Sequence, residues 1–213
     1  MNPALRIRLL MELRRSGITD TRVLAAIEKV PRELFVEEPF ADQAWDNAAL
    51  PIGCGQTISQ PLVVALMSQA LEISGRSKVL EVGTGSGYQT AVLAQLSRRV
   101  YTLERHKPLL TQAEARFRLL RLTNIVAMHG DGMRGWPAQA PFERILVTAA
   151  ARELPRPLLD QLAVGGVLVT PLDTGPDRQE VVRVRRTEDG FSTEALFPVR
   201  FVPLVAGVPD DAP

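Results

Sequence analysis

Lys78-Val79-Leu80-Glu81-Val82-Gly83-Thr84-Gly85-Ser86-Gly87-Tyr88 is the stretch on which the fold class turns. The first five residues have the composition of a short buried strand, and Tyr88 to Leu96 takes up the spacing of a helix. Three glycines lie between them. In an open parallel sheet, ligands bind outside the carboxyl ends of the strands, so this turn faces a site. Glycine there permits backbone angles closed to other residues and lets the main chain approach a ligand without an intervening Cβ. The spacing is G-x-G-x-G. A dinucleotide fingerprint asks for a third small residue at position 88, which is Tyr88, and no G-K-[ST] follows to form a nucleoside triphosphate loop.

Outward from this turn, strands and helices alternate. Val100 to Leu103 is a strand, Pro108 to Leu122 a helix, Ile125 to Met128 a third strand and Arg144 to Val147 a fourth. Pro155 to Leu162 is expected to be helical, with Gly166 to Val169 the fifth strand. Such alternation implies crossover units and a mostly parallel, doubly wound sheet. Upstream, Leu5, Leu9, Leu10 and Leu13 share one helical face. A second helix runs from Asp20 to Lys29 and stops at Pro31, and a further one runs from Pro61 to Ile73. Pro39 to Gly55 lacks a pattern and is expected to be a long functional loop. Glu180 to Arg185 and Val199 to Val205 are expected to be antiparallel edge strands, and Pro209 to Pro213 to fray.

Three strand ends carry residues shaped for a ligand. Glu81, just before the loop, can attract a cationic or amine-bearing group. Glu104 closes the second strand, where nucleotide-binding α/β folds place an acid on ribose hydroxyls. Gly130-Asp131-Gly132 follows the third strand: Asp131 can accept from an exocyclic adenine amine, and its flanking glycines admit a flat base. Together with Gly83, Thr84, Gly85 and Gly87 these residues favour S-adenosylmethionine, which carries a sulfonium and an ammonium and no phosphate.

The bulk numbers agree. At 213 residues with 46% apolar and 23% charged residues, the chain suits one substantial α/β core. A net charge of +1 argues against a large phosphate-binding surface, so nucleic acid is not an expected partner. The N-terminus alternates Arg with Leu and Ile and reads as an amphipathic helix instead of a signal peptide, and no apolar run is long enough for a bilayer span. The lone Cys54 forms no intramolecular disulfide and no cysteine-based metal site, and it fits a reducing cytoplasm. It is read as a packing residue. His106 is placed at a helix entry and His129 at a strand end, both without a catalytic role.

The glycine loop followed by Tyr88-Gln89-Thr90 resembles that of the protein-L-isoaspartate O-methyltransferases. More specific is Gly53-Cys54-Gly55-Gln56-Thr57-Ile58-Ser59-Gln60-Pro61, similar to that family's own upstream signature. Val30-Pro31-Arg32-Glu33, Ala44-Trp45-Asp46-Asn47, Val147-Thr148-Ala149-Ala150 and Arg200-Phe201-Val202-Pro203-Leu204 extend the likeness over residues 5 to 206. The resemblance implies a Rossmann-like methyltransferase fold spanning 1–213 as a single domain. Its parts are a helical leader and substrate loop (1–60), a cofactor-binding core (61–172) and a C-terminal β segment (173–208).

It further implies methyl transfer from S-adenosylmethionine to the free α-carboxylate of L-isoaspartyl residues in damaged proteins and peptides, with repair proceeding through a succinimide. Ser59 is the implied catalytic residue, and Gln56, Thr57, Ile58 and Ser59 the substrate-binding set. No metal is expected, and the enzyme is expected to be a cytoplasmic monomer away from membranes. A carboxylate nucleophile with a solution pKa of about 3.5 needs no general base at neutral pH. Ser59 also suits a helix N-cap before Pro61. The rivals are another S-adenosylmethionine methyltransferase, a non-catalytic adenosine- or peptide-binding protein and, more distantly, a nicotinamide dehydrogenase. The first leaves the Gln56-to-Pro61 segment unexplained.

Overall fold

A computed structural model describes residues 3–209, so 210–213 of the expected frayed tail lie outside the described residues. Seven strands form the central sheet: β3 (Lys78–Val82), β4 (Arg99–Glu104), β5 (Ile125–His129), β6 (Phe142–Val147), β7 (Leu162–Gly175), β8 (Arg178–Arg186) and β9 (Phe191–Val199). A separate hairpin pairs β1 (Leu50–Ile52) with β2 (Gln56–Ile58). The order in the sheet is β5-β4-β3-β6-β7-β8-β9. The pairs from β5 through β7 are parallel, while β7–β8 and β8–β9 are antiparallel. The chain winds outward from β3 to β5 and then returns to the other side of β3. The strand order therefore reverses at the β3–β6 boundary, where such sheets form a crevice.

Helices cover both faces. On one lie α1 (Pro3–Arg15), α2 (Thr21–Lys29), α3 (Pro61–Ala70) and α4 (Tyr88–Leu96), packed with Val79, Val100 and Leu146 of the sheet. α5 (Lys107–Leu119) contributes Leu109 to the same core. On the other face, α6 (Arg156–Asp160) brings Leu158 and Leu159 onto Leu80, Val82, Ile145 and Leu168. α4 is buried along nearly its whole length because the leader covers the side away from the sheet. The leader is fastened there: Gln69 Oε1 of α3 accepts from Thr19 N and Asp20 N at 2.8 and 2.9 Å, and Asp20 caps α2 through Arg22 N. Among the described residues, no helix is long and apolar enough to cross a membrane.

Five expectations need correction. The last strand is Phe191–Val199, and residues 200–205 are irregular, with only an isolated bridge from Pro203 to Ala150. β9 is an edge strand exposed along most of its length, so it lacks the apolar alternation that marks a strand, while Pro203 has no N–H for a ladder. α6 is one short turn instead of a helix from Pro155 to Leu162, and β7 starts at Leu162, much earlier than Gly166. α3 ends at Ala70, three residues before Ile73, with Glu72 in a left-handed conformation. The Pro39–Gly55 loop holds a 3-10 turn (Glu38–Gln43) and β1, its hairpin being too short to impose a period.

Gly87 marks the join of α4 and α5. Its φ is +89°, and a Cβ there would lie 2.8 Å from Phe117 Cε1 and 3.1 Å from Ala113 Cβ. Gly87→Ala should therefore cost about 2–4 kcal/mol from left-handed strain and overpacking. Gly75→Ala, at a position with open space around it, should be nearly neutral. Urea unfolding midpoints check both; an unchanged midpoint for Gly87→Ala would contradict this packing.

Candidate active site

The turn after β3 is held by hydrogen bonds to the end of β4. Gly83 N and Thr84 N donate to Leu103 O at 2.8 and 3.2 Å, and Gly85 N donates to Glu104 Oε2 at 2.8 Å. Gly83, at φ +97°, lies so close to Thr148 that a Cβ would collide with its hydroxyl. Thr148, just after β6, donates to Gly83 O at 2.7 Å. The segment continues to Ala150, whose N–H donates to Val202 O at 2.8 Å and whose carbonyl accepts from Leu204 N at 2.7 Å. The tail thereby reaches the same strand ends as the glycine loop.

These elements enclose a cleft of about 830 Å³, its open mouth included. Its floor is Gly83, Thr84, Gly85, Glu104 and Gly132. Gln56, Thr57, Ile58 and Ser59 form one wall, and Val202 to Val205 another. Apolar surface from Val64, Val82, Leu103 and Leu204 makes up much of the lining, leaving a few polar groups to orient a ligand. Among basic side chains, Arg105 and His106 line it.

Glu104 is only 5% exposed. Its Oε2 holds Gly85 N and its Oε1 holds His106 N at 2.9 Å. Each oxygen keeps a lone pair for a further donor, so two adjacent hydroxyls, as on a ribose, suit it. Ser59 is half-buried, and its hydroxyl has no hydrogen-bond partner among the described residues. The N-cap position of α3 belongs to Gln60, not Ser59. Asn47 does the capping instead: Leu62 N donates to its Oδ1 at 3.0 Å, and its Nδ2 donates to Glu12 Oε1 at 2.7 Å. That arrangement leaves the serine hydroxyl available to the cleft.

Three expected cofactor residues have other partners in the structure. Glu81 is fully buried beneath the loop, where Thr90 and Thr102 donate to its Oε2 at 2.5 and 2.6 Å, and Thr102 meets the Thr84 hydroxyl at 2.6 Å. Strand alternation turns Glu81 into the helical layer, while Val82 lines the cleft. Gly87 serves the α4–α5 contact. Asp131 caps the turn after β5, its Oδ1 accepting from Met133 N at 2.9 Å, and it is not among the lining residues. Cys54 is exposed at the hairpin tip with φ 59°, so it is not a packing residue. His106 precedes α5 and His129 ends β5, as expected. Sequence reasoning did not assign Thr148, Ser86, Gln89 or Arg105 to the site. Thr148 carried a signal, in the Val147-to-Ala150 motif.

The chain matches the family profile for protein-L-isoaspartate(D-aspartate) O-methyltransferase over residues 5–208. It belongs to that family. It is 65% identical over 206 residues to the protein-L-isoaspartate O-methyltransferase of Paramagnetospirillum magneticum, covering 96% of each chain. It is 66% identical over 214 residues to that of Rhodospirillum rubrum, covering 99% of this chain and 98% of the relative. A Plasmodium falciparum structure bearing the same enzyme name, solved with S-adenosyl-L-homocysteine, superposes with a TM-score of 0.81 at 29% identity. The match covers 93% of this chain and 97% of that one. Another solved protein-L-isoaspartate O-methyltransferase gives 0.85 at 25% identity, and the chain spans 65% of its length. The fold is thus that of an isoaspartyl methyltransferase.

Burial pushes the Glu81 carboxyl up to about 8, against the lowering effect of the two threonine hydroxyls. The unfolded chain releases this proton near the ordinary value of 4.5, so between about 4.5 and 8 the folded state binds the extra proton. The group's contribution to stability is complete below that window and is lost as pH rises through it. Glu81→Gln removes the linkage. Relative to the variant, the wild-type urea midpoint should fall from pH 5 toward about pH 8; parallel pH profiles would contradict the assignment.

Proposed function

We propose that the free α-carboxylate of an L-isoaspartyl residue is held at Ser59, facing the glycine loop, and is methylated there. The observation that carries this is the uncommitted Ser59 hydroxyl on a wall facing Gly83 to Gly85 and Glu104. S-adenosylmethionine, when bound, supplies an electrophilic methyl whose bond to sulfur breaks as the bond to the carboxylate oxygen forms. Glu104 would hold its ribose hydroxyls, and the main chain of Gly83, Thr84 and Gly85 would lie against its methionine portion. Asp131 and Gly132 would border the adenine. Glu81 supports the loop from below, through Thr102 and Thr84, and Gly87 supports it through helix packing.

The nucleophile arrives ionised, so the residues need to orient it and exclude water, not to remove a proton. Ser59, by its hydroxyl or N–H, aims one carboxylate oxygen. Gln56, Thr57 and Ile58 complete the wall, and Val202 to Val205 border the peptide main chain. The same reading makes residues 1–213 one catalytic unit that works as a cytoplasmic monomer. The net charge of +1 gives no field for nucleic acid. A backbone amide nitrogen of the peptide then attacks the methyl ester and expels methanol to give a succinimide, which water opens partly to normal aspartate.

A hydrogen bond to a charged group contributes about 1.5–3 kcal/mol. Ser59→Ala should slow turnover of an isoaspartyl peptide roughly 10- to 100-fold, with the affinity for S-adenosylhomocysteine unchanged. Wild-type turnover in that variant would refute the role of Ser59.

A further inference from the structure

Arg32 is fully buried, in the 3-10 turn Arg32–Phe35 that follows α2. Among the described residues, no carboxylate pairs with it. Its Nη2 donates to Ala48 O at 3.1 Å, its Cζ stands 4.9 Å from the Tyr88 ring centroid, and Nε and Nη1 have no hydrogen-bond partner among the described residues. Burial lowers its pKa to about 10, which still leaves it charged at neutral pH. A lone buried cation is a poor source of stability, since an apolar residue of similar volume fills such a space at lower cost. What the guanidinium adds is direction: one face for an aromatic ring and an edge for a carbonyl.

The two groups that it joins belong to the two halves of the cleft. Ala48 leads into the β1–β2 hairpin that carries Gln56 to Ser59. Tyr88 follows the glycine loop directly and lines the cleft. Neighbouring contacts run the same way. Phe35 meets Tyr88 edge-on at 5.5 Å, and Arg116 of α5 donates to Ser86 O at 2.9 Å while lying 6.0 Å from the Phe35 ring. Ile52 of the hairpin stands over Gly85, where an added Cβ would be 3.7 Å from its Cδ1.

We propose that Arg32 is a positioning residue that couples the cofactor loop to the substrate hairpin, so that filling the glycine loop tightens the hold on the isoaspartyl peptide. The inference rests on the assignment of the glycine loop to cofactor and of the Ser59 segment to peptide. By linkage the effect is reciprocal: bound peptide tightens cofactor by the same factor.

The test is calorimetric titration of an isoaspartyl peptide into the protein alone and into the protein saturated with S-adenosylhomocysteine. In the wild type the second affinity should exceed the first by roughly 5-fold or more. Arg32→Met should bring that ratio to about one, and so should Tyr88→Leu, which removes the ring; Tyr88→Phe, which keeps the ring face, should retain it. A purely structural role would weaken both affinities and leave their ratio unchanged, and that result would overturn the proposal. So would a wild-type ratio of one. Should Arg32→Met fail to fold, the two Tyr88 variants decide the matter by the same ratio. Failure of the wild type to bind S-adenosylhomocysteine or peptide at all would instead refute the underlying assignment, and the coupling with it.

Discussion

The hydrogen bonds from Gly83, Thr84 and Gly85 to the end of β4 set the shape of the cleft. Because the Leu103 carbonyl and the Glu104 carboxylate accept them, the glycine turn takes its position from the β3–β4 register, in which Val82 lies beside Leu103. The same bond that pins Gly85 orients Glu104. From the other side of β3, Thr148 at the end of β6 grips Gly83 O. The half of the cleft that we propose for the cofactor is thus built from strand ends rather than from free loops, the arrangement that holds a constellation most accurately.

The half that we propose for the substrate is organised differently. Its wall is a short hairpin laid over the sheet end by the leader, with Asn47 joining Glu12 of α1 to the start of α3. Asn47 meets the needs of the helix terminus, and Ser59 is thereby released from capping. The tail from Val202 to Leu204, tied to Ala150, closes the opposite side. An aspartyl and an isoaspartyl residue carry the same charge, so selection must come from the distance between carboxylate and main chain. A cleft whose walls come from different parts of the chain, meeting at one sheet end, can measure that distance.

Much of the cleft half that we propose for the cofactor was legible in the sequence because its constraints are local. A glycine triplet after a strand, and an acid closing the next strand, keep their meaning without tertiary context. Glu81 misled because its side follows from strand alternation: the sequence places it beside the loop, but the pleat turns it into the core. Gly87 misled for a related reason, since packing against Phe117 answers to a need of the fold itself. β9 was invisible because an edge strand with both faces largely exposed has no apolar period, and α6 and β7 were misjudged where helix and strand share one apolar run. The substrate motif was recognisable only by family resemblance; what frees Ser59 is Asn47, twelve residues away in sequence.

The central claim is that this cleft takes the free carboxylate of an isoaspartyl residue and no ordinary aspartyl one. The most direct measurement supplies the protein with S-adenosylmethionine labelled in its methyl group and two peptides identical except for one aspartyl or isoaspartyl linkage. The account predicts label on the isoaspartyl peptide alone, as a base-labile methyl ester. Equal labelling of both peptides, or binding of the cofactor with label on neither, would contradict it.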